Sequence, residues 1–361
     1  MSSSLSSKSF LLSDFGFVCV GRVNTADGHL QDETLSSSLA FISADYRLLF
    51  PYSASHILED VLALFTYLTT SINDDLGSLK QKPAFRISTT RFAVAGVSAG
   101  AYPARLAALY ALPRPLALFS LYGTGGDFLS PFYVHQAPIA GWESNLGTCK
   151  MFLAPSLAEQ KALLPGISDC PMPNAASTIR PNIPGYQARV YTLYVNMLRC
   201  GKFLDHLMDY PGLGERLFQA GKSFDSDRIT PIPNNAPSRS MSSARTGSSS
   251  ADLQRMKKQQ MEAAVPEKIR HLFPQLCITS SFPPTYLVHG TNDKAVDCRE
   301  SKEMAKKLSE LGVQCEIVLA GGLGHCFDSV GPTPVSYLWN RYAGDVMPFL
   351  KRHLMKVDGQ M

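Results

Sequence analysis

Three residues of this chain could together turn a hydroxyl into a nucleophile: Ser98, Asp293 and His325. A serine hydroxyl attacks poorly at neutral pH. It needs an imidazole within hydrogen-bond reach to take its proton, and the imidazole needs a carboxylate to orient it. Ser98 sits in Gly96-Val97-Ser98-Ala99-Gly100, a G-x-S-x-G run; Asp293 closes HGTND; His325 lies in GLGHCF. Each follows a short apolar run, where the end of a strand would present it. Asp293 and His325 are 32 residues apart, room for one helix and one strand. Each also has a plainer alternative. Asp293 could be a turn residue, with Asp297 as a rival acid. His325 could be a loop histidine, with His289 as a second candidate base, although His289 lies at a strand end on the wrong side of Asp293.

The elements that must position these groups can be read around them. RFAVAGVSAGAYPARLAALYAL, residues 91–112, reads as a buried strand at 92–95, a tight turn at 96–100 and an Ala/Leu-rich helix. That is the strand–turn–helix context of a nucleophile elbow, in which the serine is held in a strained conformation above the sheet edge. Gly96 and Gly100 fall where a side chain would collide with the strand and helix. The helix start directs N–H groups and partial positive charge at an oxyanion, with the Ala99 N–H as one donor. Upstream, a strand at 40–42 precedes a helix at 55–68 with Ser55 as its N-cap and Ile57, Val61, Phe65 and Leu68 on its apolar face. Downstream come strands at 115–122, 285–288 and 316–319, a helix at 301–312 and a last helix at 335–354. Alternating strands and helices predict βαβ units and a parallel sheet.

Between the two halves the rhythm stops. Residues 129–232 are rich in Pro and Gly, with a helical patch at 188–207; residues 234–252 are Ser/Arg/Asn-rich and read as a disordered loop; a charged helix follows at 253–269. The expected organisation is a first part of the core at 1–128, a largely helical cap insertion at 129–275, and a second part of the core at 276–361. Composition sets further bounds. The chain has 361 residues, 45% hydrophobic and 18% charged, with net charge +4. That is ordinary for a globular protein, and no basic stripe interleaved with aromatics invites nucleic acid. No apolar run reaches the ~18 residues of a membrane span. The start of the chain lacks the pattern of a secretory signal, and eight scattered cysteines show no metal-ligand spacing. They read as reduced thiols in a cytoplasmic protein. No metal or cofactor is signalled.

SADYRLLFPYSASHILEDVLALFTYL, just ahead of the elbow, resembles the D-Y-R-L-x-P…E-D-V segment of the hormone-sensitive-lipase-like branch of the α/β-hydrolases, the fold-3 esterases. PPTYLVHGTNDKAV and the stretch through GLGHCFD resemble the H-G-x-x-D…G-x-x-H-G-F ending of the same enzymes and of related acyl-peptidases. The likeness covers about 40–130 and 280–352, not the cap. It implies an α/β-hydrolase fold: a mostly parallel sheet flanked by helices, with an inserted cap. It implies Ser98 as nucleophile, Asp293 as acid, His325 as base and the Ala99 N–H as an oxyanion donor. Asp45, Tyr46, Arg47 and Asp60 match positions that are structural in the family. The family's H-G-G-G-F oxyanion loop is degenerate here. At its distance stand residues 13–21, SDFGFVCVG, which align with a small gap and make the N–H of Phe15 or Gly16 the second donor. Only twelve residues precede that segment, which leaves two alternatives: a shortened chain, or the family's first strands absent. Losing one oxyanion donor typically costs about 10²–10³ in rate, so a slow enzyme is implied.

The sequence thus reads as a serine hydrolase that cleaves small carboxylic esters through an acyl-enzyme on Ser98. Two alternatives stay open: a non-catalytic or weakly active binding protein on this scaffold, and an acyl-peptide or oligopeptide hydrolase. Substrate identity and oligomeric state have no signature in the residues.

Overall fold

In the computed structural model, the described residues are 16–20 (backbone only), 39–49, 52–80, 85–135, 194, 196–226, 250–328 and 335–355. Six strands form one sheet: β1 (Gly16–Val20), β2 (Ala40–Ala44), β3 (Phe92–Val97), β4 (Ala117–Leu121), β5 (Thr285–Gly290) and β6 (Cys315–Ala320). Their order across the sheet is β2-β1-β3-β4-β5-β6, and every pairing is parallel. Parallel pairing requires a crossover between neighbours, and helices supply it. Ala54–Thr70 lies between β2 and β3, Ala101–Tyr110 between β3 and β4, and Arg299–Glu310 between β5 and β6. This is the parallel sheet with flanking helices that the sequence predicts.

The central strands β3, β4 and β5 are buried on both faces because they are mostly apolar, with side chains alternating by parity. Ala93, Ala95, Phe119, Leu121, Tyr286 and Val288 face one cluster, closed by Trp339, Phe349 and Leu350. Phe92, Val94, Leu118 and Leu287 face the other, closed by Val61, Phe65, Leu68, Met304 and Leu308. Each fully buried large apolar side chain there contributes roughly 1.5–3 kcal/mol.

The helix Ala54–Thr70 is capped by Ser53 rather than Ser55: the Ser53 N–H donates to His56 Nδ1 at 3.2 Å. Its start is tied to the loop after β2. Asp60 Oδ2 accepts the Arg47 N–H at 2.8 Å and Asp60 Oδ1 accepts from Arg47 Nε at 2.9 Å, while Arg47 Nη2 reaches Glu59 at 2.8 Å. The carboxylates raise the guanidinium pKa above its usual value against a smaller effect of burial. At the foot of β3, Arg91 Nε donates to the Leu354 carbonyl at 2.7 Å.

Three predicted elements differ. The last helix is two helices, Val335–Ala343 and Val346–Leu354. Gly344 stands at the break, where glycine's low helix propensity favours a turn, and the Asp345 carbonyl starts the second helix by accepting the Phe349 N–H at 3.0 Å. The patch 188–207 is described only in its second half, where Gly201, at φ +61°, separates a turn of helix at 196–199 from Phe203–Leu207. The Ser-rich stretch 234–252 lies outside the described residues up to 249; its last three residues begin the helix Ser250–Ala264.

The chain divides into two compact units: Met1–Phe128 with Leu164–Tyr186 and His271–Met361, and Leu129–Leu163 with Gln187–Arg270. The helices of the second unit include Phe203–Leu207, Leu213–Ser226, Ser250–Ala264 and Glu267–Arg270. Inside it, buried Asp205 accepts from the N–H groups of Gly212 at 2.9 Å and Gly214 at 2.7 Å and from Lys202 Nζ at 3.1 Å. The rings of Tyr133 and Phe203 stack 5.3 Å apart.

Candidate active site

All-parallel pairing brings every carboxyl end of the sheet to one edge, and four side chains converge there from four consecutive strands. Ser98 follows β3 directly. Its φ is +54°, a left-handed conformation that costs a non-glycine residue energy and persists only when the surroundings impose it. The surroundings are a 3₁₀ turn, Ser98–Gly100, running into the helix Ala101–Tyr110, and a hydrogen bond from the Thr124 N–H to the Ser98 carbonyl at 3.1 Å. Gly96 is obligatory here: a Cβ on it would lie 2.4 Å from Ala101 Cα.

His325, on the turn after β6, places Nε2 2.9 Å from Ser98 Oγ. Its Nδ1 lies 2.7 Å from Asp293 Oδ2, on the turn after β5. With Nδ1–H donating to the carboxylate, Nε2 is left to accept the Ser98 hydroxyl proton. Asp293 Oδ1 in turn accepts from the N–H groups of Ala295 at 2.8 Å and Val296 at 2.9 Å. The side chain of Asp293 is fully buried. Burial alone would raise its pKa. Hydrogen bonds from His289, His325 and the Val296 N–H outweigh it and hold the carboxyl well below the usual carboxylate range. Burial likewise pulls the His325 pKa down, but the bond and charge of Asp293, with a contribution from Cys326, push it up to about 9.

Two further groups shape this corner without a sequence motif to announce them. Tyr122, at the end of β4, has φ +37° and sets its ring 4.6 Å from the His325 ring in an edge-on contact. Its hydroxyl donates to buried Asp328 at 2.7 Å. An aromatic ending a strand before GTGG was the available signal, but ring packing across two strands is not a sequence property. Cys326, beside the histidine, has φ +55°, the backbone region that favours glycine.

The rival residues separate. Asp297 instead stands just ahead of the helix Arg299–Glu310, accepting the Arg299 N–H at 2.9 Å. His289 is fully buried, with Nδ1 2.8 Å from Ser301 Oγ and Nε2 3.1 Å from the Val296 carbonyl; it lies beside Asp293, not Ser98.

Gly16 is a correction. It pairs with Phe92 at the amino end of the sheet, six residues of extended chain, about 20 Å, from the level of Ser98. Its N–H is therefore no oxyanion donor. The alignment took a strand for a loop: Phe17-Val18-Cys19-Val20 is β1 itself, and the carboxyl end of β1, at Val20, is what points toward the Ser98 edge. Phe15 lies outside the described residues. No group of side chains among the described residues could hold a metal ion, and no helix among them is long and apolar enough to cross a membrane.

No family model matches the chain, and no curated protein matches it. Solved structures are similar in overall trace. An acetyl ester-xyloside bifunctional hydrolase from Caldicellulosiruptor lactoaceticus is 13% identical, with 95% of this chain and 86% of that one covered at a TM-score of 0.43. The carboxylesterase Cest-2923 from Lactobacillus plantarum WCFS1 is 11% identical, with 95% and 86% covered at 0.46. An alpha/beta hydrolase superfamily protein from Enterococcus faecalis is 16% identical, with 94% and 90% covered at 0.44. At this distance the likeness carries no inference about chemistry. The serine at the strand–helix junction, linked through one imidazole to one buried carboxylate, is what any functional reading must account for.

Proposed function

We propose that this protein is a serine hydrolase that cleaves small carboxylic esters, with Ser98 as nucleophile, His325 as base and Asp293 as orienting acid. The observation that carries the reading is the unbroken hydrogen-bonded path from Ser98 Oγ through His325 to Asp293, at 2.9 and 2.7 Å. In the first step Ser98 Oγ bonds to the ester carbonyl carbon as its proton passes to His325 Nε2. The carbonyl oxygen takes the negative charge, and the Ala99 N–H at the start of the elbow helix is placed in the sequence to receive it. The intermediate collapses as His325 returns the proton to the leaving alkoxide, giving an acyl-enzyme on Ser98. Water, deprotonated by the same imidazole, then releases the acid. Asp293 keeps Nδ1 protonated throughout and offsets the charge that His325 acquires. The chemistry needs no metal or cofactor from outside. The cysteines described here carry thiols, in keeping with a cytoplasmic setting.

Hydrolysis of p-nitrophenyl acetate, butyrate and octanoate, beside Ser98→Ala, tests this. Turnover should fall by at least about 10³-fold in the variant, as removal of a triad nucleophile does. A fluorophosphonate probe should label the parent protein at Ser98 and leave the variant untouched. Equal background rates in both folded proteins, with no labelling, would discard the esterase reading in favour of a binding protein on a hydrolase scaffold.

A further inference from the structure

Behind the Ser98–His325–Asp293 path stands a second imidazole. His289 closes β5 and has no solvent exposure. Its Nε2 lies 3.1 Å from the Val296 carbonyl and 3.4 Å from Asp293 Oδ2, the same oxygen that takes the His325 Nδ1–H at 2.7 Å. Its Nδ1 lies 2.8 Å from Ser301 Oγ, on the first turn of the helix Arg299–Glu310. A carbonyl oxygen has no proton to give, so Nε2 must carry the hydrogen. In the uncharged ring, Nδ1 then accepts the Ser301 hydroxyl proton. The result is one row of groups, Ser301–His289–Asp293–His325–Ser98, in which the carboxylate binds the His325 N–H and has the His289 ring N–H 3.4 Å from the same oxygen.

We propose that His289 is a positioning residue acting through Asp293: its Nε2–H shares Oδ2 with His325 and withholds part of the carboxylate's charge from the base. This inference rests on the reading of Ser98, His325 and Asp293 as a hydrolytic set. A merely geometric role is already filled, since Oδ1 is clamped by the N–H groups of Ala295 and Val296, and that fixes the carboxylate plane without help from His289. What the second donor adds is electrostatic. A carboxylate fully buried beside an imidazole holds a proton on it firmly, and with no second donor on that carboxylate the hold would be firmer still. A second donor near the same oxygen stabilises the carboxylate's charge and weakens its grip. The long 3.4 Å approach, shared with the Val296 carbonyl, makes the effect a trim rather than a switch. The other titratable groups at this corner are accounted for. Tyr122 and Cys326 face His325, Asp328 is held by the Tyr122 hydroxyl, and Glu300, next to Ser301, accepts the Asp127 N–H at 2.6 Å.

The decisive measurement is the titration of His325 by NMR in protein with ¹⁵N-labelled imidazoles, its signal assigned among the eight histidines by its loss in His325→Gln. It reads the proposal whether or not the protein turns over an ester. His289→Leu should raise the His325 midpoint by about 0.5–1 pH unit, and His289→Gln, whose amide restores an N–H near the same place, should return it to within about 0.2 unit. Where the protein hydrolyses an ester, the acid limb of kcat/KM should move by the same amount in His289→Leu and return in His289→Gln. If His289→Leu does not fold, Ser301→Ala is the substitute. It frees Nδ1 to take the ring proton from Nε2, and a smaller rise is expected. An unmoved midpoint in a folded variant overturns the proposal. So does a fall, which would mean that His289 holds Asp293 in place. Absence of fluorophosphonate labelling at Ser98 would remove the hydrolase reading alone, because the titration stands apart from it.

Discussion

At the scale of single residues, the corner around His325 sets the pH at which the protein should work. The imidazole must be uncharged to take a proton from Ser98, and its midpoint is pushed up to about 9 by Asp293. The rate should therefore climb with pH through that midpoint rather than level off near 6.5, the value of an unperturbed histidine. Asp293→Asn removes the charge that raises it. In that variant the acid limb should drop toward 6.5 or below, and kcat should fall by about 10⁴-fold as the imidazole loses its tautomer. A pH profile of kcat/KM for both proteins checks both effects. Ser98, Asp293 and His325 were legible as a set because each stands in a short motif just after an apolar run, in a fixed chain order. His289 and Tyr122 were not, for a common reason. Their roles depend on which atom faces which across neighbouring strands, and a strand end looks the same in sequence whether its last side chain meets solvent or an imidazole.

At the scale of elements, the elbow is held by close approach. A Cβ at position 96 would lie 2.4 Å from the Gly100 carbonyl oxygen and 2.6 Å from the Ala101 nitrogen, all backbone. Neither neighbour is a flexible side chain that could yield. Gly96→Ala should therefore displace the helix Ala101–Tyr110 from β3 and cost more than about 3 kcal/mol, beyond the ordinary run of point substitutions. Thermal denaturation should show it, together with loss of fluorophosphonate labelling. The elements were legible where apolar periodicity was strong: β3, β4, β5 and β6, and the helix after β2, lie within two residues of where the pattern puts them. The sequence misled where an alignment overrode that pattern. Phe17-Val18-Cys19-Val20 has the look of a buried strand, and treating it as a glycine loop moved an expected oxyanion donor to the wrong end of the sheet.

At the scale of the whole molecule, the His325–Asp293 pair couples fold stability to pH. His325 has a raised folded-state pKa, so its contribution is complete below its unfolded value of about 6.5 and is lost as pH rises through about 9. Asp293 has a lowered one, so its contribution is complete above its unfolded value of about 3.9 and is lost as pH falls below it. Between about pH 4 and 6.5 the pair stabilises fully, and between 6.5 and 9 the protein should lose on the order of 2–3 kcal/mol that His325→Gln never had. Chemical denaturation of the two proteins across that range tests the difference.

The same pair of turns has a consequence in time. Ser98 and His325 meet across 227 residues of chain, and Arg91 meets Leu354 across 263. At about 5–20 residues per second, a ribosome needs on the order of 10–45 s to reach the histidine after making the serine. Through that interval the elbow strand exists without the strands that carry its partners. On the proposed reading, Ser98 gains its base only when β5 and β6 have docked, so reactivity at Ser98 would report completed synthesis.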